Sequence, residues 1–327
     1  MFFDHIDNKR TEREGLKMKK RCTCVVPCFN EEEAVILYYD AMCEVMEQEK
    51  NRIDFELLFV DDGSRDHTLK QIKKLKEKDH RVRYISFSRN FGKEAALYAG
   101  LEHAQGDYVI TMDVDLQDPP CLIPEMVRLI EEEGYDSVAT RRVNRKGEPR
   151  IRSFFARKFY RIINRISDAD IVDGARDFRM MKREMVDAIL SMKEYNRFTK
   201  GIFGWVGFKT EWLEFENVER IAGETKWSFW KLFKYAMEGI IAFSTVPLTI
   251  VSLIGVVVCI AAFAFFIFVL MRALIFGDPV AGWPSLVCLI TFLSGIQLMG
   301  IGVLGLYLSK TYLEAKHRPI YIAKEIC

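Results

Sequence analysis

From Gly239 to Ser309 the chain has almost no charge: Arg272 and Asp278 are the only charged side chains there. The formal net charge of +1 therefore hides a segregation, with nearly all the charge in the first three quarters. Val246 to Met271 gives 26 residues without a charge, about 39 Å as a helix and enough to cross a bilayer with some tilt. Trp283 to Leu308 is a second run broken only by small or amide residues. Two such runs in succession are hard to bury in a soluble core, so a membrane unit over 241–309 is expected, with helices at 246–271 and 283–308. Met1 to Lys20 lacks an apolar core, so 1–20 reads as a flexible leading segment rather than a cleavable signal peptide, with Met18 an alternative start. Cys22, Cys24 and Cys28 lack histidine partners, which argues for buried reduced thiols over zinc.

The link from Phe276 to Gly282 is short, so the two helices form a hairpin. Lys226, Lys231 and Lys234 precede it, and Lys310, Lys316, Arg318 and Lys324 follow it. By the positive-inside rule both flanks are cytoplasmic, and with them the large domain over 21–240 and a tail over 310–327. Gly295, Gly300, Gly302 and Gly305 permit close helix packing, compatible with a homo-oligomer.

The soluble part alternates strand and helix. Strands are expected at Cys22–Pro27, Phe55–Val60, Val82–Phe87, Tyr108–Met112 and Ser137–Thr140, with helices between them, so the fold is α/β with a mostly parallel sheet. Each strand runs into a polar cluster: Cys28-Phe29-Asn30-Glu31-Glu32-Glu33, Asp61-Asp62-Gly63-Ser64, Ser88-Arg89-Asn90-Phe91-Gly92-Lys93, Asp113-Val114-Asp115-Leu116-Gln117-Asp118 and Arg141-Arg142. Taken singly these are turn acids, helix-dipole acids or surface charges. Together they fall on the C-terminal edge of one sheet, where open α/β folds bind ligands. Arg89 and Lys93 at a helix start suit a pyrophosphate. Asp113, Asp115 and the Gln117 amide form an oxygen cluster suited to Mg2+ or Mn2+, ions that also bind substrate phosphates.

Arg141 to Arg165 holds ten basic residues against one acid, Glu148. Within it Phe154, Phe155 and Phe159 recur at helical spacing with Arg152, Arg157 and Arg161 between them. An amphipathic helix over 150–166 either lies in the headgroup layer of an anionic membrane or packs on the sheet with a basic outer face. Nucleic acid is disfavoured by the hairpin. Asp173 to Met181 and Gly223-Glu224-Thr225-Lys226 follow, the last suiting a phosphate at the bilayer surface or a plain juxtamembrane anchor.

Val25-Val26-Pro27-Cys28-Phe29-Asn30-Glu31-Glu32, Val60-Asp61-Asp62-Gly63-Ser64, Arg89-Asn90-Phe91-Gly92-Lys93, Asp113-Val114-Asp115-Leu116-Gln117-Asp118-Pro119, Asp177-Phe178-Arg179 and Gly223-Glu224-Thr225-Lys226 occur in this order. In these pieces the chain resembles the family-2 glycosyltransferases that charge polyprenyl phosphates, the bactoprenol glucosyltransferase and dolichol-phosphate mannosyltransferase group. The resemblance implies a GT-A fold. Pro27, Phe29, Asn30, Glu31, Asp61, Asp62, Lys93 and Asp113 would bind the nucleotide sugar, and Asp113, Asp115 and Gln117 the metal and diphosphate. Asp115 and Asp177 would serve the reacting sugar, with Arg141 and Lys226 toward the acceptor phosphate. Ala175-Arg176 departs from the small residues usual before Asp-Phe-Arg, and the absence of Gln-x-x-Arg-Trp argues against processive polysaccharide synthases. The implied reaction is inverting transfer of a sugar, expected to be glucose from UDP-glucose, to undecaprenyl phosphate at the cytoplasmic face of a bacterial inner membrane. N-acetylglucosamine, galactose and mannose are alternatives, as is a lipid hydroxyl acceptor or an inactive membrane partner, and a separate flippase would move the product.

Overall fold

The computed structural model describes residues 19–143, 172, 174–216, 240–241, 244–276 and 282–327. The leading segment to residue 18, the basic helix expected at 150–166 with Arg152, Phe154, Phe155, Arg157 and Phe159, and Lys226 lie outside the described residues.

Eight strands form one sheet: β1 (Lys20–Cys28), β2 (Ile53–Asp61), β3 (Val82–Phe87), β4 (Tyr108–Thr111), β5 (Ser137–Arg142), β6 (Ala175–Lys182), β7 (Thr210–Phe215) and β8 (Ala323–Ile326), in the order β7-β5-β6-β4-β1-β2-β3-β8. The four central strands, β3-β2-β1-β4, are parallel, as their apolar runs require of strands covered on both faces. The sheet is mixed beyond them: β6 enters antiparallel between β4 and β5, and β8 closes the far edge antiparallel to β3. Neither strand is expected from the sequence reading, which assigns no strand after Ser137–Thr140.

Described soluble helices are α1 (Ala34–Gln48), α2 (Thr68–Lys78), α3 (Lys93–His103), α4 (Ile123–Glu132), α5 (Arg183–Ser191) and α6 (Thr199–Trp205). Strand alternation sends Cys22, Cys24, Val26 and Cys28 of β1 into the core layer with α1, α2 and α4, while Val25 joins the layer with α3, α5 and α6. The three thiols are buried and free, as expected. A Cβ at Gly100 of α3 would stand 2.1 Å from Val25 Cγ1, so only glycine lets this helix lie so close to β1.

The apolar runs form α7 (Val246–Phe276) and α8 (Trp283–Ala315), longer than the expected 246–271 and 283–308. Both are long and apolar enough to cross a membrane, and their candidate spans are unburied. The Tyr307 hydroxyl donates to Ser244 O at 2.7 Å, joining the open ends of the hairpin. Glu314 near the end of α8 accepts the Tyr195 amide at 2.9 Å, and Lys310 donates to Asn196 Oδ1 at 2.9 Å. The open end therefore abuts the domain built on the sheet. The expected tail over 310–327 is part of that domain: it completes α8, then supplies β8, paired as Ile85 with Ile326 and Ser86 with Glu325.

Candidate active site

The polar clusters meet because parallel strands in register end together. Cys28 lies opposite Asp61, and the Asp62 amide donates to Cys28 O at 2.9 Å. Asn30, at φ 55, holds the two loops together: its amide donates to Ser64 Oγ at 3.0 Å and its Oδ1 accepts the Arg65 amide at 2.9 Å. Asp61 is buried and accepts from the Ser64 amide and the Ser86 hydroxyl, while Pro27 is half-buried and Phe29 exposed beside it. The Glu31 amide donates to Thr68 Oγ1, anchoring that residue at the same edge.

Asp62, expected to face the nucleotide, faces the next loop instead. Its carboxylate accepts from Phe91 N at 2.6 Å, Gly92 N at 2.9 Å and Asn90 Nδ2 at 2.8 Å. Burial pushes this carboxyl up to about 6 against the pull of the Phe91 and Gly92 amides. Gly63, at φ 67, permits the approach, since a Cβ there would lie 2.5 Å from the Arg89 carbonyl carbon. Asp62 thus fixes the start of α3, whose first residue is Lys93.

Lys93 is the hub of the site. Its ammonium lies 2.6 Å from Asp113 Oδ1 and pairs also with Asp177 Oδ2. Burial lowers its proton affinity, but the charges of Asp113 and Asp177 prevail and hold it protonated. Burial likewise pushes Asp177 up, yet Lys93 and Lys200 hold it well below the usual carboxylate range. Asp113 lies past the end of β4, so groups from both faces of β6 reach it: Asp177 through Lys93, and Arg176 directly at 3.8 Å. Arg176 also binds the fully buried Asp118 at 2.6 Å. Asp115 is nearly buried in the same turn, with Leu116 at φ 54, and accepts the Gln117 amide at 3.2 Å.

Two further expected residues have partners of their own. Gln117 Oε1 accepts from Arg142 Nη2 at 3.0 Å. Arg141, expected toward the acceptor phosphate, pairs with Glu214 on β7. The residues the sequence reading passed over are Arg176, Asp118, Arg142 and Lys200. Asp118 stands inside the acidic stretch itself, and Arg176 becomes visible once β6 is recognised as a strand.

The central charges form a closed set, with Asp113, Asp118 and Asp177 set against Lys93, Arg176 and Lys200. Such a set can exchange partners: a diphosphate for the cations and a divalent cation for the acids. The donor chemistry of Asp113 and Asp115 fits a hard ion.

Residues 23–190 match the family model described as Glycosyl transferase family 2. The chain is 45% identical to the prophage bactoprenol glucosyl transferase homolog of Escherichia coli (strain K12), over 94% of this chain and 99% of that protein. It is 45% identical to the bactoprenol glucosyl transferase of Shigella phage SfV, over 93% of this chain and 98% of that protein. Mannosyl-3-phosphoglycerate synthase from Rubrobacter xylanophilus aligns with a TM-score of 0.47 and 18% identity, over 71% of this chain and 74% of that one.

Proposed function

Because the chain belongs to glycosyl transferase family 2, we propose that this glycosyltransferase moves glucose from UDP-glucose to undecaprenyl phosphate at the cytoplasmic face of a bacterial inner membrane. One observation carries the reading: the likeness to proteins named bactoprenol glucosyl transferase runs at 45% over 94% of the chain, and so includes the apolar hairpin as well as the GT-A sheet. N-acetylglucosamine, galactose or mannose would need only a different fit to the sugar.

In this reading the edge formed by Pro27, Phe29, Asn30, Glu31 and Asp61 receives the nucleoside, and Asp113 and Asp115 hold Mg2+ or Mn2+. The ion would neutralise the diphosphate as it departs. Lys93 and Arg176, which pair with Asp113, would meet the same phosphates and stabilise the leaving group. Asp177, held ionised by two lysines, is a poor proton acceptor and serves to position the sugar and Lys93. That suits a phosphate acceptor, which is already anionic near neutral pH, better than a lipid hydroxyl, which needs a base. A single in-line displacement then inverts the anomeric centre. The basic helix over 150–166 and Lys226 would guide the lipid to the site, and a separate flippase would move the product.

The test uses full-length protein in detergent with undecaprenyl phosphate, Mg2+ or Mn2+, and a panel of labelled nucleotide sugars, scoring label that enters the organic phase. Transfer from UDP-glucose is expected. Transfer only to diacylglycerol or ceramide, or none from any donor while UDP still binds, refutes the reading.

A further inference from the structure

Beside Asp177, between β6, β7 and α6, lies a cavity of about 210 Å³ lined by Arg176, Arg179, Lys200, Phe203, Phe208 and Trp212 among others. Strand alternation explains its floor: Arg179 shares a face of β6 with Asp177, two residues away, and points under α6. Arg179 is only 4% exposed, with its guanidinium carbon 4.5 Å from the centroid of the Phe203 ring and 5.4 Å from that of Trp212.

This arginine is under-satisfied. Among the described residues it makes one hydrogen bond, from Nη1 to Ser137 Oγ at 3.3 Å, its buried Nε has no partner, and no carboxylate lies within ion-pair distance. Burial pulls the guanidinium down to about 9, opposed only by the charge of Asp177. Buried charges are ordinarily paired, and an aromatic face compensates only part of the lost hydration. Arg176 Nη2 is also buried without a hydrogen-bond partner. Lys200 donates to Ala175 O at 3.1 Å and lies 4.0 Å from Asp177 Oδ1.

We infer that this cavity is a phosphate site that seats the headgroup of the acceptor lipid, with Arg179 as its floor and Lys200 and Arg176 as its inner wall. The inference rests on the phosphate-acceptor reading above. Arg179 has no acid partner among the described residues, and its planar guanidinium fork matches phosphate oxygens. A neutral sugar would leave Arg179 uncompensated. The volume falls below the roughly 300–1,000 Å³ of pockets that enclose a whole ligand, so it admits a headgroup while the chain stays outside. Phe203, Phe208 and Trp212, with the half-exposed Trp205 on the same helix, offer the apolar surface that a lipid's first carbons need. Lys200 and Arg176 touch the acids of the donor site, so a phosphate held here stands next to the sugar it attacks.

The experiment compares full-length wild type, Arg179→Met and Lys200→Met in detergent. Methionine keeps the stem packed against the aromatic rings and removes the charge. The KM for farnesyl phosphate should rise about tenfold or more in each variant, the range expected for losing a charged hydrogen bond, and UDP affinity should hold in Arg179→Met. Tryptophan fluorescence titrated with farnesyl phosphate, inorganic phosphate and farnesol separates the sources. Arg179-dependent binding of farnesyl phosphate, tighter than inorganic phosphate and absent for farnesol, supports the lipid headgroup. Equal binding of both phosphates overturns that assignment in favour of free phosphate. An unchanged acceptor KM in Lys200→Met, which alters a partly exposed side chain, overturns the site even if Arg179→Met fails to fold. Arg179-dependent phosphate binding without sugar transfer from any donor would sink the proposed reaction and leave the site standing.

Discussion

Replacing Lys93 by methionine should pull two properties in opposite directions. Lys93 bridges Asp113, at 2.6 Å, and Asp177, so a divalent cation that binds Asp113 must first displace the ammonium. Unit charges near a protein surface interact by about 4 kcal/mol at 4 Å. Lys93 is 44% exposed, however, and solvent screening brings the pair to about 1–2 kcal/mol, close to a factor of ten. Mn2+ should therefore bind nucleotide-free Lys93→Met about tenfold more tightly than wild type, by calorimetry. Turnover should fall by about 10²-fold, because the departing diphosphate loses a fixed cation. The pH profile supplies the sign. Asp177 is depressed in the folded protein, so its ionised form contributes stability that is lost as pH falls through its folded pKa; without Lys93, burial pushes the carboxyl up. The acid limb of kcat/KM should then move toward neutral pH in Lys93→Met and stay near wild type in Lys93→Arg. Unchanged Mn2+ affinity together with an unmoved acid limb would show that Lys93 does not compete with the metal.

Asp115→Ala should cost about 10²–10³-fold in turnover with the far-UV spectrum and membrane insertion intact; near-normal activity at controlled metal concentration would remove Asp115 from the metal site. Tyr321 stacks on Phe87 with ring centroids 5.0 Å apart, and its hydroxyl meets Glu102 at 2.6 Å and His103 Nε2 at 2.9 Å. Denaturant unfolding should find Tyr321→Phe less stable by about 1 kcal/mol and Tyr321→Ala by about 3 kcal/mol, and no loss in Tyr321→Phe would assign the contact to packing alone. Gly63→Ala places a Cβ 2.5 Å from the Arg89 carbonyl carbon at φ 67, so a loss of about 2 kcal/mol or more is expected, and a neutral result in the same assay would mean that the loop shifts freely.

The parallel core was legible because β1 to β4 are apolar runs that stop abruptly at polar residues, and strands in register bring those stops together. The nucleotide edge and the pair of Asp113 and Asp115 follow from that alone. The individual contacts do not. Asp61 and Asp62 are adjacent in sequence, but alternation sends one toward Ser86 and the other onto the amides of the next loop. Nothing local distinguishes them. The strand β6 was hidden by its four charges, Arg176, Asp177, Arg179 and Lys182, which read as a surface segment. What stands against each lies elsewhere: Asp118 for Arg176, Lys93 for Asp177, aromatic rings beside Arg179 and Asp136 for Lys182. All four lie outside β6, where periodicity cannot see them.

The strand β8 was invisible for a different reason: Ala323-Lys324-Glu325-Ile326 has the composition of a tail, and its partners are remote in sequence, Tyr84 bonding Glu325 across 241 positions. Its placement changes how the chain is understood. The apolar hairpin is an insertion between β7 and β8 of one sheet rather than a segment appended after a finished domain. The last strand covers the edge that β3 would otherwise present to other chains, using Lys73 with Glu325 and the Tyr84–Cys327 backbone pair to hold it. The segment leading into β8 packs Tyr321 against α3, and α3 begins at Lys93. The end of α8 grips Tyr195 and Asn196, just before the helix that carries Lys200. Both lysines that hold Asp177 ionised are therefore borne on elements fastened to the end of the apolar hairpin or to the residues that follow it.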